Sequence, residues 1–236
     1  MANVTLDKIT KKYLVNNQVI SVLNGISYTF EDKTITVILG KSGCGKTTLL
    51  RLIANLEMPT EGNIHIQGTN SKIGTVFQES RLMPWLNVED NIMFSLDHKD
   101  TSLIQKYLDI MGLNNFRKAY PNQISGGMAQ RTSIARTLAY NPEVMLMDEP
   151  FAALDYFTRK KLQHELLSIY EIYKRTIVFI THNVEEALLL GHKILILNKG
   201  KISKEYDLTQ YTYPRDMVSK SLLNLKEDII NTISKH

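Results

Sequence analysis

The sequence has very little cysteine and no long apolar segment. Cys44 is the single cysteine among 236 residues, so the chain forms no internal disulfide and no cysteine-rich metal site. This favours a reducing, cytosolic compartment. No apolar run approaches the roughly 18 residues that a membrane-spanning helix needs, and the first residues lack a secretion-signal pattern. We therefore expect a protein that acts at a membrane only by binding something inserted in it.

The sequence also lacks a strong excess of charge. Its net charge is +4, and charged residues make up 22% of the chain against 43% hydrophobic residues. This composition excludes a disordered tail, a collagen-like chain and a coiled-coil rod. The mild positive charge suits an anionic ligand or an anionic membrane surface, and it does not indicate nucleic acid as a partner. The length corresponds to one or two domains of roughly 150 residues.

Short apolar runs alternate with helical patterns along the chain. The runs are 34–39, 73–77, 144–147, 176–180 and 194–197. Buried helical segments are the alternative, but the short length and the β-branched content of these runs favour strands that are buried on both faces of a parallel sheet. Helical patterns occupy 47–55, 102–111, 158–173 and 183–190. The alternation predicts an α/β fold with ligand-binding turns at the carboxyl ends of the strands.

Three other segments carry local signals. The stretch 79–140 has few strand candidates and several helical ones, which indicates a helical insertion into the α/β core. The glycine-containing segments 62–68 and 198–201 are typical of hairpins.

The segment Gly40–Thr47 reads GKSGCGKT and matches the phosphate-loop pattern in full. Its glycines let the backbone wrap a phosphate closely, and the following helix directs its positive dipole end at the same anion. Lys46 is expected to reach the β- and γ-phosphates, and Thr47 to coordinate Mg²⁺. A chance glycine-rich turn is the alternative, but the strand before the loop and the helix after it argue against one. A thiol at Cys44, beside a helix N-terminus, is expected to be somewhat acidic.

A second apolar strand ends in two adjacent acids, Asp148 and Glu149. A buried strand that ends in carboxylates is costly unless a cation or a reaction needs them. Asp148 is expected to hold the Mg²⁺ shell, and Glu149 to polarise the attacking water. The alternative is that the strand simply ends in a solvated turn at Pro150. The phosphate loop in the same chain argues against this alternative.

The segment Ser125–Arg131 reads SGGMAQR and precedes the acidic strand. Other landmarks occur in a fixed order along the chain: Tyr13, Gln78, Ala153-Leu154-Asp155 and His182. Together with the phosphate loop, this series resembles the ATP-binding cassette proteins, in which these positions are the adenine-stacking aromatic, the Q-loop glutamine, the D-loop and the switch histidine. Without the series, His182 would be read as a structural residue and Tyr13 as a core aromatic.

The resemblance implies a single ATPase domain over residues 1–236, with a P-loop core whose sheet is mixed and mainly parallel. It adds an N-terminal antiparallel β subdomain, a helical subdomain at 79–140 that carries the signature, and a short helical tail at 206–236. It also implies that the ligands are ATP and Mg²⁺. The catalytic residues would be Glu149, His182 and Gln78. The ATP contacts would be Tyr13, Gly40, Lys41, Ser42, Gly43, Cys44, Gly45, Lys46, Thr47, Thr48, Ser125, Gly126, Gly127 and Asp155. Mg²⁺ would be bound by Thr47, Gln78 and Asp148.

By the same resemblance, two copies pack head-to-tail with two ATP molecules between them. Each ATP would then contact Lys46 of one copy and Ser125 of the other. Every motif is present in this chain, so a homodimer has two competent sites. The signature departs from the commoner family pattern at Ile124, Met128 and Ala129, and none of these changes removes a phosphate-contacting group.

The segments 78–92 and 149–155 are similar to those of ATPases that serve importers of nitrate, sulfonates and taurine. This implies a peripheral protein on the cytoplasmic face of the membrane, bound to permease subunits and served indirectly by a solute-binding protein. An export or lipoprotein-release ATPase is the alternative. Trp85 is expected to lie near a groove that receives a permease helix, unless it merely packs the helical insertion.

Overall fold

The computed structural model describes residues 2–68, 72–96 and 100–234. The strands are β1 (Asn3–Val15), β2 (Gln18–Phe30), β3 (Ile35–Leu39), β4 (Glu61–Gln67), β5 (Ile73–Val76), β6 (Val144–Asp148), β7 (Thr176–Ile180), β8 (Lys193–Asn198) and β9 (Lys201–Asp207). The helices are α1 (Lys46–Ile53), α2 (Val88–Met93), α3 (Thr101–Ile110), α4 (Gly126–Ala139), α5 (Tyr156–Tyr173), α6 (Val184–Leu190) and α7 (Lys220–Ser234). Two compact units result, the first from 1–71 and 175–236 and the second from 72–174.

The first unit contains an antiparallel sheet in the order β2-β1-β4. In β1, Val4 lies between Phe30 of β2 and Ile66 of β4. Val4 and Leu6 are buried two residues apart, which is the spacing that puts side chains on the same face of a strand. This sheet confirms the expected N-terminal antiparallel element.

The first unit also holds strands in the order β7-β3-β8-β9. β3 is parallel to both β7 and β8, while β9 is antiparallel to β8. Every residue of β3 and β7 is buried, as the unbroken apolar runs predict. The turn from β8 to β9 uses Lys199 and Gly200, both with positive φ, and confirms the hairpin expected there.

The other expected hairpin, at 62–68, is wrong. This segment is the single strand β4, and it pairs with β1, more than 50 residues earlier in the chain. Gly62 has φ +88, and a Cβ there would lie 2.4 Å from the carbonyl oxygen of Asp7. The glycine that suggested a local turn instead permits a close approach to the neighbouring strand.

The second unit pairs β5 with β6 in parallel and packs α2 and α3 against α4. These three helices fall within the predicted helical segment 79–140, of which residues 97–99 lie outside the described residues. All five apolar runs form strands with ends within one residue of those expected, which confirms the α/β class. None of the helices in the described ranges is long and apolar enough to cross a bilayer.

Glu89 in α2 fixes the loop after α3 by ion pairs. Its carboxylate oxygens lie 2.7 Å from Arg117 Nη2 and 2.6 Å from Lys118 Nζ. The Glu89 side chain is 8% exposed, and its hydrogen bonds with Arg117 and Lys118 lower its pKa to about 2. Glu89 therefore stays ionised at neutral pH and contributes to the stability of the second unit.

Replacing Glu89 with glutamine should lower the free energy of unfolding at pH 7 by about 1–2 kcal/mol, since the charge-assisted bonds are lost while Arg117 and Lys118 can still reach solvent. The folded-state pKa lies below the ordinary value of 4.5, so this stabilisation exists above pH 4.5 and disappears as the pH falls towards 2. Urea unfolding at several pH values measures the gap between variant and parent. Glu171→Gln, which removes one partner of the exposed Lys174 pair, is the control. A gap that stays constant down to pH 2.5 would contradict this account.

Candidate active site

The segment Gly40–Thr47 runs from the end of β3 into the first turn of α1, as the phosphate-loop pattern predicts. Gly45 precedes the helix with φ +106, and a Cβ there would lie 2.8 Å from Leu23 Cδ2. At Gly40 a Cβ would lie 2.3 Å from the carbonyl oxygen of Leu197. Both positions therefore require glycine. No side chain caps α1, so its first amide groups are left to bind an anion.

The Lys46 side chain is folded into this loop. Lys46 is 7% exposed, and its ammonium donates to the carbonyl oxygens of Gly40 at 2.8 Å and Lys41 at 3.0 Å. Both acceptors are neutral, so these contacts solvate the ammonium without cancelling its charge. A positive charge held against an amide-lined loop at a helix N-terminus is suited to bind phosphate.

The expected acidity of Cys44 is wrong. Burial raises the pKa of the Cys44 thiol, and the nearby Lys46 ammonium only partly offsets this effect. The thiol lies 3.9 Å from Lys46 Nζ. At neutral pH Cys44 is therefore a neutral packing residue of the loop and not a reactive thiolate.

Two further predicted site residues of the first unit contact each other. Tyr13 extends from β1, and the Thr48 side chain on α1 is close enough to its phenol to lower the phenol's pKa, although burial and Glu57 raise that pKa overall. Thr48 comes directly after Lys46 and Thr47, so the structure brings Tyr13 beside the phosphate loop. The phenol also donates to Glu57 at 2.5 Å, a contact that the sequence does not indicate.

His182 lies between β7 and α6, where it is exposed. Its neighbours are firmly held. Thr181 Oγ1 donates to Glu186 at 2.6 Å, and the Asn183 side chain accepts from the backbone amides of Glu185 and Glu186. Asn183 thus caps α6 and fixes the backbone that directly follows His182.

The second unit carries the predicted acidic pair. Asp148 ends β6 and is 4% exposed. Glu149 follows in a half-buried position with φ 45, a backbone conformation that costs free energy for any residue other than glycine.

The signature segment begins α4 in the second unit. Ser125 caps this helix by accepting from the backbone amide of Met128 at 3.3 Å. A Cβ on Gly126 would meet no atom within 4 Å, so this helix start faces open space. Asp155 likewise caps α5 by accepting from the Thr158 amide. Exposed amide groups at the start of α4 form a second potential anion site.

Gln78 follows β5 and is exposed. The backbone just before it is held by Gln130 of α4, whose side-chain amide donates to the carbonyl oxygen of Phe77 at 2.9 Å. Tyr13, the phosphate loop and His182 therefore belong to the first unit, and Gln78, the signature, Asp148, Glu149 and Asp155 belong to the second. The roles of these residues stay predictions.

Comparison with known proteins identifies the family. The family model described as "ABC transporter" matches residues 23–152. The aliphatic sulfonates import ATP-binding protein of Bacillus cereus is 40% identical, over 98% of this chain and 96% of that protein. The taurine import ATP-binding protein of Ruegeria pomeroyi is also 40% identical, over 88% and 83%.

Solved structures agree with this assignment. A dimeric ATP-binding cassette in a post-hydrolysis state, bound to ADP and phosphate, matches with a TM-score of 0.80 at 31% identity, over 87% of this chain and 98% of that one. The similarity to sulfonate and taurine relatives confirms the subfamily resemblance seen in the motifs. The chain belongs to the ABC transporter family, whose ATP-binding proteins are ATPases.

Proposed function

We propose that this chain is the ATP-hydrolysing subunit of an importer for a small organic solute such as a sulfonate or taurine. The ATPase part of this proposal rests on Lys46. Its positively charged ammonium is buried at the start of α1, in a loop that requires glycine at two positions, and it donates to neutral carbonyl oxygens there. The similarity over nearly the full chain to import ATP-binding proteins supports the importer part.

Different residues of the chain are assigned to phosphate binding, to activation of the attacking water and to Mg²⁺ binding. Lys46 and the first amides of α1 bind and orient the phosphates. Glu149 accepts a proton from the attacking water, and His182 and Gln78 orient groups around the γ-phosphate. The hydroxyl of Thr47, the carboxylate of Asp148 and the amide oxygen of Gln78 are oxygen donors of the kind that fit Mg²⁺. Mg²⁺, when bound, neutralises charge on the phosphate oxygens.

The same proposal includes a head-to-tail homodimer. The open face at Gly126 and the Ser125-capped start of α4 support binding of the γ-phosphate of an ATP held by the partner's loop. Asp155 would lie at the same interface. ATP then favours the closed dimer, and its hydrolysis releases the two copies. The solved dimers of a related cassette support this arrangement.

A groove in the second unit supports a permease partner. It has a volume of about 360 Å³, and its lining includes Phe77, Arg81, Phe94 and Arg136. The Arg81 guanidinium lies 4.0 Å from the centre of the Phe77 ring, and Phe94 is 56% exposed. Aromatic rings beside arginine are typical of protein interfaces. Residues on both sides of Gln78 in the sequence line the groove, among them Phe77 and Arg81. A partner bound in the groove would therefore contact the loop that carries Gln78. The proposal therefore includes binding to a permease at the cytoplasmic face of the membrane.

Reconstitution with a cognate importer permease, sought among the genes beside this one, tests the proposed function. We expect the two proteins to co-purify, and a solute-loaded binding protein to stimulate ATP hydrolysis. An ATPase that is stimulated by the permease substrate with no binding protein would support export instead. A chain that neither binds ATP nor associates with the permease would contradict the proposal.

Trp85 gives a sharper test of the permease surface. It is 69% exposed and lies two residues after Met83, which lines the groove. Trp85→Ala should lower permease-coupled ATPase activity and transport about tenfold, because an exposed tryptophan at an interface contributes strongly to binding. Ile172→Ala, at an equally exposed apolar residue of α5, is the control. Unchanged coupled activity in Trp85→Ala would remove Trp85 from this surface.

A further inference from the structure

The phenol of Tyr13 lies at the centre of a charged cluster in the first unit. It donates to Glu57 Oε2 at 2.5 Å. The same carboxylate pairs with Lys11 at 3.4 Å and with Arg51 at 3.4 Å. Lys11 and Tyr13 lie two residues apart on β1, Arg51 lies on α1, and Glu57 follows that helix. One carboxylate therefore ties a strand to the helix that begins at the phosphate loop.

This carboxylate stays charged at neutral pH. The hydrogen bond from Tyr13, aided by Lys11, lowers the pKa of Glu57. Burial and the bond to Glu57 raise the pKa of the Tyr13 phenol, which therefore remains a protonated donor. The Glu57 side chain is 23% exposed. A charged acceptor that is largely shielded from water holds a phenol more firmly than a neutral one does.

The cluster also limits access to one face of the Tyr13 ring. The Lys11 ammonium lies 4.9 Å from the ring centre, and it is held there by donating to the carbonyl oxygen of Met58 at 2.8 Å. One face of the ring is therefore occupied by a cation. The phenol end is fixed by its hydrogen bond to Glu57. We therefore expect a planar ligand to stack on the opposite face.

We infer that Glu57 is a positioning residue for the nucleotide base. It fixes the orientation of the Tyr13 ring before ATP arrives, so that phosphates bound at Lys46 and a base stacked on Tyr13 fit at the same time. A ring that is already ordered loses less conformational entropy on binding. The inference rests on the proposed nucleotide site, and it assigns part of the base affinity to a residue that does not touch the base.

Calorimetric titration with two probes tests this inference. MgATP and magnesium tripolyphosphate share the phosphate chain, but only MgATP has a base. Glu57→Ala should weaken MgATP binding about five- to tenfold, since stacking of one base contributes strongly to affinity. Binding of magnesium tripolyphosphate should change less than twofold. A loss of general structure would weaken both probes alike, so the ratio of the two affinities reports positioning.

A double-mutant cycle identifies the route of the effect. Tyr13→Phe keeps the ring and removes only the hydroxyl, and it should weaken MgATP binding about threefold. Adding Glu57→Ala to Tyr13→Phe should then cost less than it costs alone, because the two changes break one link. Glu57→Gln keeps an acceptor oxygen and should retain most of the preference for MgATP. Glu61→Ala removes the partner of Lys12 on the same strand and is the matched control.

Two results would overturn the inference while leaving the proposed function standing. One is an equal loss of both probes in Glu57→Ala, and the other is strict additivity of the Tyr13 and Glu57 changes. If the unaltered protein binds no MgATP, both the proposed function and the inference fail.

Discussion

Replacing Glu149 with glutamine should reduce steady-state ATP hydrolysis by about 100-fold or more, because a positioned general base contributes about 10²–10⁴ to a rate. Glutamine has nearly the same shape and accepts the same backbone conformation at φ 45, so the loop geometry is retained. It cannot take a proton from water at neutral pH. ATP binding should persist, and ATP should accumulate in a stable dimer. Phosphate release, calorimetric ATP binding and size-exclusion chromatography measure the three effects separately.

The control for this variant lies at the other end of the same strand. Glu143 directly precedes β6, and its backbone amide donates to the carbonyl oxygen of Lys72. Glu143→Gln makes the same chemical change far from the predicted chemistry, and it should leave hydrolysis within about twofold of the parent. Normal turnover in Glu149→Gln would remove Glu149 as the base and leave the role to another group.

The elements that the sequence predicts well are those with local causes. β3 and β7 are short runs in which every residue is buried, and such runs are recognisable without knowing their partners. Helix starts are similarly local, since Ser125, Asp155 and Asn183 each cap a helix with their own side chain. The phosphate loop is recognisable because its residues form one short continuous pattern, although the atoms that exclude a Cβ at Gly40 and Gly45 belong to the distant residues Leu197 and Leu23.

The features that the sequence does not indicate depend on distant contacts. Glu57 reaches Tyr13 across 44 positions of the chain, and no spacing rule links the two. The glycines at 62–68 predict a hairpin, and this prediction is wrong because the partner of β4 is β1, which lies far upstream. The acidity expected for Cys44 considered only the nearby helix start, whereas burial by the folded loop outweighs it. In each case tertiary packing determines the property, and a local pattern does not report it.

The predicted site residues of the first unit serve ATP binding, whereas those of the second unit serve ATP hydrolysis and dimer formation. We expect the lysine and the glycine loop of the first unit to bind a phosphate chain, and the acidic pair and the signature of the second unit to act in hydrolysis and dimer formation. A variant of the loop should therefore weaken ATP binding, and a variant of Glu149 should slow turnover while ATP binding persists. This contrast separates the two units experimentally.

Lys46→Ala should weaken ATP binding by about 10- to 100-fold, since charge-assisted hydrogen bonds to phosphate are worth about 1.5–3 kcal/mol. Hydrolysis and ATP-dependent dimer formation should be lost with it, in contrast to Glu149→Gln. Calorimetric titration with MgATP measures the affinity, and thermal unfolding checks that the carbonyl oxygens of Gly40 and Lys41, which lose their donor, do not destabilise the fold.

The control for Lys46 removes an equal charge elsewhere in the first unit. Lys204 forms an exposed ion pair with Asp228 at 2.7 Å, and Lys204→Ala should change ATP affinity less than twofold, because exposed pairs are screened by solvent. If Lys46→Ala binds ATP as tightly as Lys204→Ala does, the phosphates do not bind at the GKSGCGKT loop. The ammonium buried there would then serve only to hold the loop together through its two carbonyl contacts, and the ATPase assignment would lose its structural basis in this chain.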